Sequence, residues 1–161
     1  MATRQIFDSS AMVAVDKKGR LALPLDYRRT IEANHGPREV SIADHVSLPC
    51  LVGTDRAWLR ELSARIDDRQ QAALNAGEAV DEGELAAALD NFEHPGFDEA
   101  GRFQLPTFLA AHAKIADLAY FRATSHGFQI WNPTVLVGEA KLPERLRAKI
   151  RWELEQRGVK A

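Results

Sequence analysis

Apolar residues near the start of the chain come in short segments of the length of β-strands. These segments alternate with turn residues and lie at 12–15, 21–23, 39–42 and 50–52. Between the second and third segments, Tyr27 and Ile31 lie one helical turn apart, before Gly36. Short apolar segments bounded by turn signals are typical of strands, whereas a spacing of four is typical of a helix. The first part of the chain therefore predicts a ββαββ unit.

The second half of the chain repeats this order less regularly. Segments 119–122 and 128–131 predict its last two strands, and Phe108 followed by Ala-rich residues 110–113 predicts the helix before them. Phe97 alone stands where the first strand of the unit would be. We therefore expect a second ββαββ unit with a weak start.

Between and after these units, the apolar positions have a helical period. Trp58, Leu62 and Ile66 are spaced by four residues, and residues 75–77 interrupt the pattern, so two amphipathic helices are expected within 55–92. A last helix is predicted over about 143–156, with basic side chains largely off its apolar stripe.

Two polar residues mark the expected starts of helices. Thr54 and Asn132 stand where a side-chain oxygen would cap the first turn. Pro133 suits the first helical position after Asn132.

A nine-residue motif occurs twice, with its shared residues 82 positions apart. Asp16-Lys-Lys-Gly-Arg-Leu-Ala-Leu-Pro24 returns as Asp98-Glu-Ala-Gly-Arg-Phe-Gln-Leu-Pro106. An Asp followed three residues later by a Gly predicts a tight turn, in which the carboxylate accepts backbone hydrogen bonds and the glycine takes a positive φ. Each motif is therefore expected to form a hairpin tip whose second strand ends at the proline.

The net charge of −2 conceals an uneven distribution of charged residues. Residues 1–60 carry nine Lys or Arg against seven Asp or Glu, and residues 98–161 carry ten against seven. Residues 61–97 carry two against nine. Because phosphate contacts need a local excess of cationic side chains, any binding of nucleic acid is expected to belong to the two ends of the chain.

The composition is that of an ordinary globular protein. Its 161 residues, 45% of them hydrophobic and 27% charged, suffice for one sizeable core or two small ones. No apolar run approaches the roughly 18 residues that span a membrane, and the N-terminus lacks a hydrophobic signal core, so a cytoplasmic protein is expected. Cys50 is the single cysteine, so an intrachain disulfide is excluded. Its thiol is expected to be buried.

The duplicated loops, their spacing and the acidic helical segment between them resemble the MraZ family over about residues 6–140. Residues 49–51 followed by Trp58, and residues 128–131, are also similar to the closing strands of that family. The resemblance implies an α+β fold in which duplicated ββαββ half-barrels of the AbrB-like (SpoVT-AbrB) type form one pseudo-twofold, swapped-hairpin barrel of double-psi-like form. The implied boundaries are 1–54 and 93–140 for the two repeats, 55–92 for an acidic helical connector, and 141–161 for a basic C-terminal helix and tail.

The same resemblance implies a sequence-specific DNA-binding regulator of transcription, expected to repress the division and cell-wall gene cluster and to associate with the nucleoid. Its implied partners are double-stranded DNA, with short direct repeats near a promoter, and further copies of itself in a ring-shaped homo-oligomer. No cofactor, metal or membrane partner is expected.

Carried over residue by residue, the resemblance makes Arg20 and Arg102 the DNA-contacting residues, with Lys17 and Lys18 beside the first of them. A guanidinium at a hairpin tip can donate to guanine O6 and N7, which contributes about 1–3 kcal/mol of discrimination. Lysines flanking such a tip are better suited to phosphates, which position the protein without reading sequence.

Other motif residues are expected to shape the loops rather than to contact DNA. They are Asp16, Gly19, Pro24, Asp98, Gly101 and Pro106. The second loop has Glu99 and Ala100 in place of the two lysines, so the loops are not expected to contribute equally. Arg28, four residues after the first proline, is a further candidate DNA contact, and Ala110 takes its place in the second repeat.

Two other classes of function compete with DNA binding. An enzyme is not expected, because the sequence has no nucleophile elbow, phosphate-cradling loop or His-Glu-x-x-His motif. The five histidines show no spacing suited to a metal. The stronger rival is a protein that binds another protein, either an AbrB-like antitoxin or an assembly module.

Overall fold

The computed structural model describes residues 3–160, in which the elements follow the order β-β-α-β-β-α-α-β-α-β-β-α-α. The strands are β1 (Ser10–Ala14), β2 (Arg20–Ala22), β3 (Ser41–Asp44), β4 (Leu51–Thr54), β5 (Arg102–Gln104), β6 (Leu118–Ala123) and β7 (Phe128–Trp131). The helices are α1 (Leu25–Ala33), α2 (Arg56–Asn75), α3 (Glu84–Leu89), α4 (Thr107–His112), α5 (Pro133–Val137) and α6 (Glu144–Gln156).

The strands of the two repeats are interleaved. Five of them form an antiparallel sheet in the order β1-β6-β7-β4-β3, so that β1 pairs with β6 and β4 pairs with β7. The short strands β2 and β5 form a separate antiparallel ribbon. The fold is therefore α+β with antiparallel sheets, and the strands within residues 3–160 do not close into one hydrogen-bonded barrel.

The five-stranded sheet separates two hydrophobic clusters, because successive side chains of a strand point to opposite faces. Ala119 and Phe121 of β6 belong to the larger cluster, which includes residues of α1 and of the β2–β5 ribbon. Tyr120, between them, belongs to the smaller cluster, which includes residues of α5 and α6. The ribbon and the C-terminal helix thus pack on opposite faces of the sheet.

The start of the second repeat differs from the expected ββαββ order. Glu93 and Gly96 make isolated bridges to Ile42 and Glu39, and no strand precedes β5 in this repeat. Pro95 lies between the two bridges and has no backbone N–H to donate, so a continuous ladder cannot form there. The prediction of a complete second unit was wrong at this strand.

One of the two predicted helix caps is also wrong. Asp55, not Thr54, caps α2, and its Oδ1 accepts a hydrogen bond from the Trp58 N–H at 2.8 Å. Thr54 still belongs to β4, where its hydroxyl donates to the His126 carbonyl at 2.7 Å. The cap at Asn132 is confirmed, since its side chain accepts from the Thr134 N–H at 2.9 Å.

The helices between the repeats follow the predicted division. Helix α2 ends just before Gly77, which has a φ of +73°. Its buried residues are Leu59 and Ile66, whereas Trp58 is half-buried and stacks on His126 with ring centroids 4.0 Å apart. At the start of the predicted apolar stripe, the buried residue is therefore Leu59, one position after the predicted Trp58. No helix within residues 3–160 is both long enough and apolar enough to cross a membrane.

Candidate nucleic-acid interface

The first motif loop closes as a tight turn between β1 and β2. The Gly19 N–H donates to the Asp16 carbonyl at 3.0 Å, and the Asp16 N–H donates to the Arg20 carbonyl at 2.8 Å. Gly19 has a φ of +78°, a conformation that residues with a side chain rarely adopt. The turn therefore needs a glycine at this position.

The Asp16 carboxylate organises this turn and holds the loop arginine. Its Oδ1 accepts from the N–H groups of Lys18 and Arg20, both at 2.9 Å, and its Oδ2 accepts from Arg20 Nε at 2.9 Å. The hydrogen bond from the Arg20 N–H is the largest of the causes that lower the pKa of Asp16. Because Nε makes the hydrogen bond described for this guanidinium, its two terminal nitrogens remain available to a ligand.

The second loop has the same geometry. Asp98 Oδ1 accepts from the N–H groups of Ala100 and Arg102 at 3.0 and 2.9 Å, and Oδ2 accepts from Arg102 Nε at 3.0 Å. Gly101 has a φ of +81°. The pKa of Asp98 is lowered as well, mainly by the hydrogen bond from the Arg102 N–H. The two loops thus present their arginines in the same way.

The β2–β5 ribbon brings the two loop arginines onto one face. Arg20 pairs with Gln104 and Ala22 pairs with Arg102. Paired residues share a face, and so do residues two apart along a strand. Arg20 and Arg102 therefore lie on the same face, two residue steps apart, or roughly 7 Å along the strand direction.

Burial shows which face of the ribbon is open to solvent. Leu21 and Phe103, the paired central residues, are each 1% exposed and pack into the larger hydrophobic cluster. The side chains of Arg20 and Arg102 are 34% and 50% exposed. The face that carries the arginines is thus the outer face.

Backbone hydrogen bonds tie each loop to the opposite repeat. The Leu105 N–H donates to the Gly19 carbonyl at 3.2 Å, and the Leu23 N–H donates to the Gly101 carbonyl at 2.8 Å. The loops lie at opposite ends of the ribbon, each beside the residue that precedes the other repeat's proline. Neither loop is held by its own repeat alone.

The prolines turn the chain from the ribbon into a helix. Pro24 directly precedes α1 and Pro106 directly precedes α4, and their carbonyls accept from the N–H groups of Tyr27 and Ala110, both at 2.9 Å. Each proline thus ends its strand at a helix start.

The two loops differ in charge. Lys17 and Lys18 are exposed in the first loop, and Glu99 and Ala100 are exposed in the second. The first loop therefore has a positive surface next to Arg20, whereas Arg102 has an additional acidic neighbour.

Arg28 lies beside the second loop, although it belongs to the first repeat. Its Nη1 donates to the Glu99 carbonyl at 3.1 Å. The pairing of β2 with β5 brings Arg28 to this loop, about 70 residues further along the chain.

Gln104 contacts the first loop of the candidate site, which the sequence did not reveal. Its Nε2 donates to the Lys18 carbonyl of the first loop at 2.9 Å. Gln104 lies in the second motif, at a position that the two copies do not share, so no local signal marks it. The contact depends on the register of two strands about 80 residues apart.

No family model matches the chain. Curated relatives do match it, and several are named transcriptional regulator MraZ. The one from Azorhizobium caulinodans is 34% identical over 128 residues, which cover 79% of this chain and 77% of the relative. The one from Xanthobacter autotrophicus is 32% identical, with 88% and 87% covered. The one from Rhodospirillum rubrum is 31% identical, with 76% of each covered.

These relatives are named as regulators and not as enzymes, so the α+β fold with its paired loops is that of a transcriptional regulator. Within that class, the chain belongs to the MraZ family.

Proposed function

We propose that the protein is a sequence-specific DNA-binding repressor that reads double-stranded DNA with the outer face of the β2–β5 ribbon. The observation that carries the proposal is the position of Arg20 and Arg102, which share this face and are each held by an aspartate at Nε. The major groove of DNA is about 12 Å wide and admits a two-stranded ribbon. An arginine separation of roughly 7 Å along the strand direction is compatible with that width.

The side chains of this face have different roles in the proposal. Arg20 and Arg102 donate to guanine O6 and N7, a geometry for which the planar guanidinium is suited. Lys17 and Lys18 contact phosphates beside the first tip. The charged guanidinium of Arg28 adds a contact near the second tip through Nη2, because Nη1 donates to Glu99 and Nε is buried.

We propose further how the two repeats are related within one chain and how several chains assemble. The crosswise pairing of β1 with β6 and of β2 with β5 supports a pseudo-twofold, swapped-hairpin relation between repeats 1–54 and 93–140. Residues 55–92 then form the acidic connector and 141–161 the basic C-terminal region. We propose that copies of this unit assemble into a ring, in which weak contacts to successive direct repeats add through a high effective concentration.

The proposed target is promoter-proximal DNA of the division and cell-wall gene cluster, to which the protein binds at the nucleoid. A mobility-shift assay on DNA from upstream of the protein's own gene, beside a scrambled sequence, tests this. Each of Arg20→Ala and Arg102→Ala should reduce the preference for the upstream DNA by about 5- to 150-fold, the range that one arginine–guanine contact supplies. Arg29→Ala removes the same charge from the exposed side of α1 and serves as the matched control.

Equal binding of the wild-type protein to both DNAs across a range of salt concentrations would exclude sequence-specific recognition of the upstream DNA. If the wild type discriminates and the double variant Arg20→Ala/Arg102→Ala discriminates equally well, the ribbon does not read the DNA. In the first case, a protein partner becomes the leading function.

A further inference from the structure

Two side chains outside the shared motif positions support the loops, and each supports the loop of the opposite repeat. Arg28 of the first repeat contacts the second loop, and Gln104 of the second repeat contacts the first loop. The corresponding positions in the other copy are Ala110 and Ala22, which have no side chain that could make either contact. The loops therefore share a backbone geometry but have different supports.

Arg28 packs directly on the turn glycine of the second loop. A Cβ atom built on Gly101 would lie 2.7 Å from both Cδ and Nε of Arg28, so the arginine stem occupies the space above the glycine. Nε is buried there, with no hydrogen-bond acceptor among the described residues. Arg28 therefore contacts the turn at two residues, through the hydrogen bond to the Glu99 carbonyl and through packing against Gly101.

Gln104 has the same relation to the first loop. A Cβ atom built on Gly19 would lie 2.9 Å from Gln104 Nε2, the atom that donates to the Lys18 carbonyl. Gln104 is also the ribbon partner of Arg20. Its amide thus lies over the turn glycine and beside the arginine that the turn presents.

We propose that Arg28 and Gln104 are positioning residues, and that they set the orientation of Arg102 and Arg20, respectively. This rests on the proposed DNA-binding function. Arg28 then affects base recognition in addition to placing a charge near the phosphates. Recognition by each loop depends on a side chain from the other repeat.

Double-mutant cycles test the crosswise dependence. Arg28→Ala should lower the preference for upstream over scrambled DNA by at least about threefold, as expected for side chains that are coupled by contact. The effect should disappear in the Arg102→Ala background and persist in the Arg20→Ala background. Gln104→Ala should show the opposite pattern, with its effect lost in the Arg20→Ala background.

The salt dependence of binding separates positioning from a phosphate contact. If Arg28 acts through its charge alone, Arg28→Ala should weaken binding to both DNAs equally. The slope of log affinity against log salt should then fall by about one, the value for one phosphate contact. Weaker binding with an unchanged preference for upstream DNA would overturn the positioning role of Arg28. Under the proposal, Arg28→Lys, which keeps the charge and loses the planar group, also lowers discrimination, whereas Arg29→Ala does not.

Amide hydrogen exchange without DNA distinguishes failure of this inference from failure of the proposed function. The Ala100 and Arg102 N–H groups donate to Asp98, so they report on the second loop directly. Arg28→Ala should speed their exchange by several-fold at unchanged circular dichroism, and Arg29→Ala should leave it unchanged. Unchanged exchange in Arg28→Ala overturns the positioning role even if the wild type binds DNA as proposed. Faster exchange supports the loop-holding role even if the wild type shows no DNA preference.

Discussion

At the scale of single residues, the turn geometry of the motif could be predicted from the sequence because its interactions are local. Asp16 and Asp98 accept hydrogen bonds from residues two and four positions later, and such contacts follow from spacing alone. The cap of α2 was missed because Thr54 and Asp55 are adjacent and both suit a cap. The choice between them depends on a distant contact, since Asp55 also pairs with Arg4 at 2.8 Å.

The loop carboxylates give a prediction about pH. Asp98 accepts three hydrogen bonds in the folded state, so its pKa lies below the ordinary 3.8. A carboxyl whose pKa is lowered by folding contributes stability above its unfolded pKa, and that contribution is lost as the pH falls through the folded pKa. The loop should therefore keep its geometry down to about pH 4 and loosen only below this value.

An NMR titration of the Asp98 carboxyl carbon measures this directly. Its midpoint should lie below 3.8 in the wild type and should rise towards 3.8 in Arg102→Ala, because that variant removes the hydrogen bond at Oδ2 while the backbone bonds remain. A midpoint that is at or above 3.8 in the wild type would contradict the observed loop geometry.

At the scale of elements, the helices and most strands could be predicted from periodicity and from turn residues. The predicted helix over 143–156 corresponds to α6 at Glu144–Gln156, and the segment 128–131 is β7. The isolated bridges at the start of the second repeat could not be predicted, because a single phenylalanine beside Pro95 and Gly96 gives no period. The pairing of β2 with β5 has no local sequence signal either, although it determines the candidate site.

The start of α2 gives a prediction about stability. The Asp55 side chain is fully buried, forms two hydrogen bonds with the Arg4 guanidinium at 3.0 and 2.8 Å, and accepts from Asn34 at 3.1 Å besides capping the helix. Removing one partner of a buried ion pair leaves the other charge uncompensated, which costs about 3–5 kcal/mol. Asp55→Ala should lower the free energy of unfolding by about that amount.

Urea unfolding compares this variant with Asp67→Ala, in which an exposed carboxylate of the same helix is removed. The control should change the free energy of unfolding by less than about 0.5 kcal/mol. Similar urea midpoints for the two variants would show that the contacts of Asp55 with Arg4 and Asn34 do not stabilise the fold as described.

At the scale of the whole molecule, the interleaving of strands means that the repeats share one sheet and one large hydrophobic cluster. The duplication itself was visible in the sequence, because both copies keep the same motif. How the copies pair depends on contacts across about 80 to 120 residues, as between β1 and β6, and no periodicity reports such contacts.

Cys50 gives a prediction about cooperative opening of the molecule. The side chain is buried in the smaller hydrophobic cluster, with residues of α5 and α6, and burial raises the pKa of its thiol to about 12. Because the thiolate is the reactive form, a thiol reagent at pH 8 should modify Cys50 only when this cluster opens. The rate should therefore rise steeply across the urea unfolding transition.

A variant with an exposed cysteine calibrates the rate. Val46 is 95% exposed, so the added thiol of Val46→Cys should react in the folded protein at the rate of a free thiol. If Cys50 reacts as fast as this reference in the absence of urea, the smaller cluster is not closed in solution.

Under the proposed function, the unlike charges of the two tips have a consequence for the kind of DNA site that the ribbon reads. A dimer of identical subunits presents identical tips, and its symmetry is matched by a palindrome. Here both tips belong to one chain, so one copy of the motif can have Glu99 and Ala100 where the other has Lys17 and Lys18. A reader with a basic tip and an acidic-flanked tip has polarity, and it distinguishes the two directions along a duplex. Successive copies bound in the same orientation would require sites arranged head to tail.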